Sequence, residues 1–125
     1  MAGERVLVVE DNEKNMKLFR DVLTATGFRA LEATTGLGAV SVAKEHVPDL
    51  VLMDIQLPDL DGLAALRRLR DDPRTASIPV LALTAQAMHG DRERFLAEGF
   101  DGYLSKPVDV VELLGTVRKH CEGRG

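Results

Sequence analysis

Short continuous apolar runs divide the chain, and the segments between them have helical spacing. The runs predict strands at 6–9, 30–32, 50–53, 80–83 and 102–104. Three of them, at 6–9, 50–53 and 80–83, are apolar at every position rather than at alternate ones. That pattern is typical of strands buried on both faces of a parallel sheet.

The intervening segments predict five helices. The first lies between Asn12, the expected N-cap, and Gly27, the expected C-terminal stop. The others are predicted at 35–46, 62–71, 87–98 and 108–121. The regular alternation predicts one α/β domain over 1–125, with its core at about 5–120, built as a doubly wound five-stranded parallel sheet with five helices.

Polar side chains follow the predicted strands at their carboxyl ends, where open α/β sheets bind ligands. Glu10 and Asp11 come after the first strand, and Asp54 comes directly after the third. Thr84 ends the fourth strand and Lys106 follows the fifth. A parallel sheet gathers all of these groups at one edge.

The chemistry of this set indicates a divalent cation. Three close carboxylates repel one another, and Lys106 supplies only one positive charge. Oxygen ligands favour Mg²⁺, with Mn²⁺ as a second possibility, over zinc. A metal, an ammonium and a hydroxyl around a carboxylate form a site for phosphoryl transfer to that carboxylate.

Each residue also has a simpler explanation when it is taken alone. Glu10 and Asp11 could favour the positive end of the first helix, and Asp54 could begin an acidic turn. Thr84 could bond backbone, and Lys106 could be a solvated loop lysine. Their coincidence at one sheet edge favours the joint site. In the turn after Asp54, residues 58 and 62 are expected to shape the loop, and the acids at 59 and 61 to be only solvated.

Composition excludes several other classes of protein. The net charge of −4 and pI near 5.3 argue against nucleic-acid binding. No apolar run is long enough to span a membrane, and the first residues lack a signal-peptide core. The chain has a single cysteine, Cys121, and one thiol cannot form an internal disulfide, so a cytoplasmic location is expected. The three histidines are too far apart to suggest a metal site. The stretch "TTGLGAV" lacks the third glycine of a dinucleotide-binding fingerprint.

Four stretches, "VLVVEDN", "PDLVLMDIQLPDLDG", "IPVLALTA" and "GYLSKPV", together resemble the receiver domain of two-component response regulators. The resemblance extends over about residues 5 to 120 and is very specific, although each stretch alone is weak. It implies a flavodoxin-like strand order, 2-1-3-4-5, with right-handed crossovers.

The resemblance also implies a role for each residue that matches the family pattern. Asp54 is expected to be the phospho-acceptor. Mg²⁺ is expected to be held by Glu10, Asp11, Asp54 and the backbone carbonyl of Gln56, with Asp11 as the preferred direct ligand. The side chains of Gln56 and Gln86 border the expected phosphoryl position, and they leave the lifetime of the phosphorylated state open.

The same resemblance implies a conformational switch. Lys106 is expected to pair with the phosphoryl group, and the peptide bond between Lys106 and Pro107 to be cis. Thr84 and Tyr103 match the switch hydroxyl and the switch aromatic residue. The segment 87–98 has few apolar anchors, mainly Met88, Phe95 and Leu96, and with the rest of 87–121 it is expected to form the face that meets a downstream protein.

The function implied is that of a bacterial signalling domain, not of an enzyme acting on a separate substrate. It would take a phosphoryl group from a histidine kinase or a histidine phosphotransfer protein and assist its own phosphorylation and autodephosphorylation. Protein contact would carry the signal, with no nucleic acid or membrane as partner.

Two alternatives stay open. "EDNEKNMKLFRDVL" and "TAQAMHGDRERF" resemble single-domain cell-fate regulators of bacteria, and the compact end favours a stand-alone receiver over one excised from a hybrid kinase or multidomain regulator. An aspartyl-phosphate phosphatase of the haloacid dehalogenase type would need a second Asp where Gln56 stands, and is disfavoured.

Overall fold

A computed structural model describes residues 3–85 and 91–122, with the side chains of residues 91, 92 and 122 left out of the description. Strands alternate with helices throughout this part of the chain. The strands are β1 (Arg5–Val9), β2 (Arg29–Ala33), β3 (Leu50–Asp54), β4 (Val80–Thr84) and β5 (Gly102–Ser105). The helices are α1 (Glu13–Ala25), α2 (Gly36–His46), α3 (Gly62–Asp71), α4 (Asp91–Glu98) and α5 (Val110–Glu122).

The strands form a parallel sheet in the order β2-β1-β3-β4-β5, which confirms the predicted fold class and order. The three runs that are apolar at every position became the three inner strands. Every residue of β3 and β4 is buried, whereas β2 and β5 at the sheet edges carry exposed or half-buried residues. The weaker apolar character of the edge strands therefore reflects their position.

The core lies in two layers, one on each face of the sheet. Alternate residues of each inner strand point to opposite layers, as the pleat requires. In β3, Val51 and Met53 pack with helices α2, α3 and α4, while Leu50 and Leu52 pack with α1 and α5. Burying one such side chain stabilises the fold by roughly 1.5–3 kcal/mol. This double coverage holds β3 rigidly in the centre of the molecule.

Helix caps confirm two predictions and correct a third. Asn12 caps α1 by accepting hydrogen bonds from the backbone N–H groups of Lys14 and Asn15, and Gly27 follows the helix with φ of 94°. The expectation that Asp59 and Asp61 are only solvated turn residues is wrong. Asp61 caps α3, and the carboxylate of Asp59 accepts hydrogen bonds from the first amides of α2.

Helix α4 ends in a well-formed C-terminal cap. Gly99 has φ of 110°, its N–H donates to Leu96 O, and the N–H of Phe100 donates to Phe95 O. The two phenylalanine rings meet edge to face at 6.0 Å and are both buried. These bonds and the apolar contact form a Schellman motif. Leu96 is 43% exposed, so the expectation that it anchors the helix is wrong; Phe95 and Phe100 do.

The first residues of the helix predicted at 87–98 lie outside the described residues. So do Gln86, Met88 and His89, and the structure adds nothing to the expectations that concern them. None of the helices in the described ranges combines the length and the hydropathy that a bilayer crossing requires.

At the edge of the sheet opposite the polar cluster, the guanidinium of Arg70 joins several elements. It donates hydrogen bonds to Ile78 O at 2.7 Å, Gly99 O at 3.3 Å and Asp101 Oδ2 at 3.0 Å. The same oxygen of Asp101 accepts a hydrogen bond from Val80 N at 2.8 Å. Arg70 thus ties α3, the end of α4 and the starts of β4 and β5 to one another.

Candidate functional site

The predicted site residues meet at the carboxyl edge of the sheet. The ammonium of Lys106 lies 2.8 Å from Asp54 Oδ2 and 2.6 Å from Glu10 Oε1. Glu10 is only 1% exposed and Asp54 only 5%. Lys106 therefore joins two buried carboxylates that belong to different strands.

The acceptor candidate Asp54 is held through its backbone and through both carboxylate oxygens. The N–H of Gln56 donates to Asp54 Oδ1 at 2.9 Å, while Oδ2 accepts from Lys106. The next residue keeps the register of the sheet, because Ile55 N donates to Leu83 O at 3.2 Å. The carboxylate thus has a fixed direction at the end of a buried strand.

The loop after Asp54 is closed by a hydrogen bond between its first residue and the residue that follows its end. Gly62 N donates to Ile55 O at 3.0 Å. A Cβ atom on Gly62 would lie 2.7 Å from Ile55 Cα and 2.8 Å from Asp54 O, closer than real Cβ contacts allow. Glycine is required at this position because the backbone of the acceptor segment passes so near. The sequence prediction that Gly62 shapes the loop is confirmed.

Glu10 is engaged by two neighbours that the sequence reading missed. Its Oε2 accepts from Asn12 N at 3.2 Å, and its Oε1 accepts from Asn15 Nδ2 at 3.4 Å. Burial raises the pKa of Glu10 above its usual value, although hydrogen bonds from Lys106 and Asn12 act in the opposite direction. The available signal for the second contact was an amide side chain, Asn15, in the first turn of a helix that starts beside Glu10.

The charge of Lys106 follows from the balance of opposing effects. Burial lowers the pKa of Lys106, but the hydrogen bonds and the negative charges of Asp54 and Glu10 together raise that pKa above its usual value. The ammonium is therefore the favoured form over the whole physiological range. It carries one positive charge into a cluster with three carboxylates.

The carboxylates are close enough to share a cation. One oxygen from each of Glu10, Asp11 and Asp54 lies within 4.8 Å of the other two, and Asp11 is exposed to solvent. Oxygens bound to Mg²⁺ at about 2.0–2.1 Å lie roughly 3–4 Å from one another, so small shifts suffice for a common ion. Three carboxylates and one ammonium leave two negative charges, which a divalent cation balances. The donor set present therefore fits magnesium.

The remaining predicted residues lie on the two neighbouring strands. Thr84 is buried at the end of β4, and its carbonyl accepts a hydrogen bond from Lys106 N at 2.7 Å. Tyr103 is half-buried on β5, with its ring centroid 5.6 Å from that of Phe95. The peptide bond between Lys106 and Pro107 is cis, as expected.

Two grooves flank these elements. One, of about 360 Å³, opens beside Glu10 and Asp11 along α1 and β2. The other, of about 330 Å³, lies between the end of α4, β5 and α5, and includes Tyr103 and His120. The second groove lies within the face predicted to meet a downstream protein.

Comparison with known proteins identifies the class. The family model described as the response regulator receiver domain matches residues 6–118. The chain therefore belongs to the response regulator receiver domain family of two-component systems. Phosphorylation signalling is the role of this family, which places the chain among signalling domains.

The chain is also similar to individual proteins of this family. The polar-differentiation response regulators DivK of Brucella ovis and of Brucella abortus are each 48% identical over 115 residues, covering 92% of this chain and 94% of theirs. The structure also resembles the receiver domain of the sensor histidine kinase PA1611 from Pseudomonas aeruginosa PAO1, which was solved with a magnesium ion in its active-site cleft. The two superimpose with a TM-score of 0.88 at 37% identity, and the match covers 97% of this chain and 99% of that one. The receiver domain of the Francisella response regulator 1452 gives a TM-score of 0.90 at 26% identity, covering 98% and 99%.

Proposed function

We propose that Asp54 is the phospho-acceptor of a signalling switch and takes its phosphoryl group from a histidine kinase or a histidine phosphotransfer protein. The observation that carries this proposal is the bridge from Lys106 to Asp54 and Glu10 at the carboxyl edge of the sheet. It places a fixed cation beside a rigid carboxylate at the end of the central strand. The resemblance to single-domain DivK regulators supports a stand-alone receiver.

The transfer requires little more than positioning and charge. An oxygen of Asp54 attacks phosphorus, the new O–P bond forms, and the N–P bond to the donor histidine breaks in line with it. The hydrogen bond from Gln56 N keeps the carboxylate oriented for this attack. Lys106 compensates the negative charge that arrives with the phosphoryl group.

Asp11, Asp54 and the Gln56 carbonyl would hold Mg²⁺, with Glu10 completing the acidic set. Both oxygens of Glu10 already accept hydrogen bonds, whereas Asp11 is exposed, which supports Asp11 as the more direct ligand. When bound, the metal supplies charge neutralisation at the phosphoryl oxygens. Mn²⁺, with the same oxygen preference, is expected to substitute.

The signal would pass through Thr84 and Tyr103. A phosphoryl group adds roughly −1.5 to −2 charge, and each charge-assisted hydrogen bond to Thr84 or Lys106 contributes roughly 1.5–3 kcal/mol. Inverting a two-state population from 1:99 to 99:1 requires about 5.5 kcal/mol, so two such bonds are of the right size. A rearrangement of Tyr103 against Phe95 would change the groove between α4 and α5, where we place the downstream partner.

We place this activity in the cytoplasm. Autodephosphorylation would end the signal. The side chain of Gln56 is exposed beside the site and would influence how water reaches the phosphoryl group.

The decisive experiment is phosphorylation by acetyl phosphate with Mg²⁺, followed by intact-protein mass spectrometry. The wild-type protein is expected to gain one phosphoryl group and Asp54→Asn none. Asp61→Asn is the matched control, because it removes a carboxylate from the same loop while asparagine can still cap α3. Equal labelling of wild type and Asp54→Asn would refute the assignment of the acceptor.

A further inference from the structure

The loop that follows the acceptor strand, residues 55–61, is fastened at its tip to the start of α2. Asp59 Oδ1 accepts a hydrogen bond from Gly36 N at 2.7 Å, and Oδ2 accepts one from Leu37 N at 3.0 Å. These are the first two amides of α2. Carboxylate bonds at the positive end of a helix are charge-assisted, and they lower the pKa of Asp59.

Gly36 makes this junction possible, and Gly38 leaves room for the cap at the start of α2. A Cβ on Gly36 would lie 2.8 Å from Leu60 Cβ, so a larger residue there would push the loop away from α2. A Cβ on Gly38 would lie 2.8 Å from Thr35 Oγ1, the atom that accepts the hydrogen bond from Gly38 N. In "TTGLGAV", Gly36 thus serves the contact with the acceptor loop and Gly38 serves the N-cap of α2, not a nucleotide phosphate.

The other end of the same loop holds the acceptor. Gln56 N donates to Asp54 Oδ1, and the backbone is bonded at Ile55 and Gly62 where the loop begins and ends. Only two residues lie between Gln56 and Asp59, and this segment spans at most about 11 Å when fully extended. Because the connecting segment is this short, a shift at the Asp59 anchor is expected to displace the Gln56 peptide group.

We propose that Asp59 is a positioning residue for phosphoryl transfer. By anchoring the loop on α2, it fixes the peptide group of Gln56, whose N–H orients Asp54 and whose carbonyl is the proposed magnesium ligand. Asp59 does not touch the reacting atoms and acts through Gln56. The inference rests on the proposed function, which gives the Gln56 peptide its role.

The test compares wild type with Asp59→Ala, Asp59→Asn and Gly36→Ala. Asp21→Asn is the control, because it removes another exposed carboxylate, on α1. Mg²⁺ is titrated while the backbone amide resonance of Gln56 is followed by NMR, which needs no phosphodonor. The Mg²⁺ requirement for labelling by acetyl phosphate is measured separately.

The expected result is a rise of about tenfold in the Mg²⁺ dissociation constant of Asp59→Ala, as for other groups that orient metal ligands. Its Gln56 resonance should be displaced before metal is added, and saturating Mg²⁺ should restore its labelling rate. Gly36→Ala keeps the carboxylate but should show the same changes in Mg²⁺ affinity and Gln56 resonance as Asp59→Ala. Asp59→Asn should give values between those of wild type and Asp59→Ala, and Asp21→Asn should match wild type.

Urea unfolding identifies the variants that are folded. If Asp59→Ala does not fold, Asp59→Asn and Gly36→Ala test the role of Asp59. Folded variants with the wild-type Mg²⁺ affinity and an unmoved Gln56 resonance would overturn the role of Asp59. A wild-type protein that takes no phosphoryl group would instead refute the proposed function. The Mg²⁺ titration would still report on Asp59 in that case.

Discussion

The ammonium of Lys106 lies 2.6 Å from a carboxylate oxygen of Glu10, although their strands are the fifth and the second in the sheet. To make this contact, Lys106 reaches past the ends of β4 and β3, and it bonds Asp54 on the way. Glu10 is almost completely shielded from water. A neighbouring cation is therefore the condition under which its charge is tolerated.

Replacing that cation should destabilise the fold. Lys106→Met leaves Glu10 and Asp54 without their common partner, and we expect the free energy of unfolding in Mg²⁺-free buffer at pH 7 to fall by about 1.5–3 kcal/mol. Urea denaturation measures the change. Lys17→Met removes an exposed ion pair with Asp21, which should matter by less than about 1 kcal/mol. Equal losses in the two variants would contradict the importance of the buried bridge.

The same chemical change should have opposite effects at two glycines. Gly62→Ala places a methyl group against Ile55 Cα and Asp54 O, and we expect it to lower the free energy of unfolding by about 1–3 kcal/mol. Gly115→Ala in α5 meets nothing within 4 Å and should raise it by roughly 0.5–1 kcal/mol. Thermal and urea unfolding of both variants give the comparison. A destabilised Gly115→Ala, or a neutral Gly62→Ala, would be inconsistent with the packing described.

Arg70 should be sensitive even to a conservative replacement. Arg70→Met loses its hydrogen bonds to Ile78, Gly99 and Asp101, and we expect a loss of about 2–3 kcal/mol in the free energy of unfolding. Arg70→Lys should recover little of it, because an ammonium cannot serve the separated acceptors of a planar fork. The exposed Arg68→Met is the control. Full recovery by lysine would show that charge alone matters at this position.

His120 should make stability depend on pH. Burial lowers the pKa of His120 below its ordinary 6.5 and Lys119 adds to this, while Asp101 acts in the opposite direction. The unfolded chain then binds a proton just below pH 6.5 that the folded chain does not, so the stabilisation present above pH 6.5 is lost as the pH falls.

The measurement is urea unfolding between pH 7.5 and 5.5. Wild type should lose stability relative to His120→Gln across this range, and His46→Gln serves as the control for loss of an exposed histidine. A constant difference between wild type and His120→Gln at every pH would rule out the effect.

The sequence predicted the strands and their order because the apolar runs are continuous only where a strand is covered on both faces. The sequence also predicted that the polar groups lie at one edge of the sheet, because residues that directly follow parallel strands share the same edge. Where the structure describes them, the observed strand and helix bounds differ from the predicted ones by no more than two residues, and those of α3 are identical. Asp54 extends β3 itself, because the ladder with Leu83 continues past the last apolar residue.

The contacts of Asp59 and Arg70, which the sequence did not predict, connect residues far apart in the chain. Asp59 lies 22 and 23 positions from the amides it caps, and Arg70 lies 31 from Asp101. Local patterns cannot show such pairs, because a cap or an ion pair of this kind depends on which loops the fold brings together. Asp59 consequently looked like one more polar residue in an acidic turn.

The burial of β3 has a consequence for hydrogen exchange. Its amides and carbonyls are bonded to β1 on one side and β4 on the other, and all five side chains are enclosed. Such amides exchange with solvent only when the molecule opens globally, whereas helix ends and loops open at far lower cost. Asp54 is the last residue of this strand, so it belongs to a part of the protein whose amides exchange slowly. Local opening of helix ends or loops therefore leaves the direction of its carboxylate unchanged.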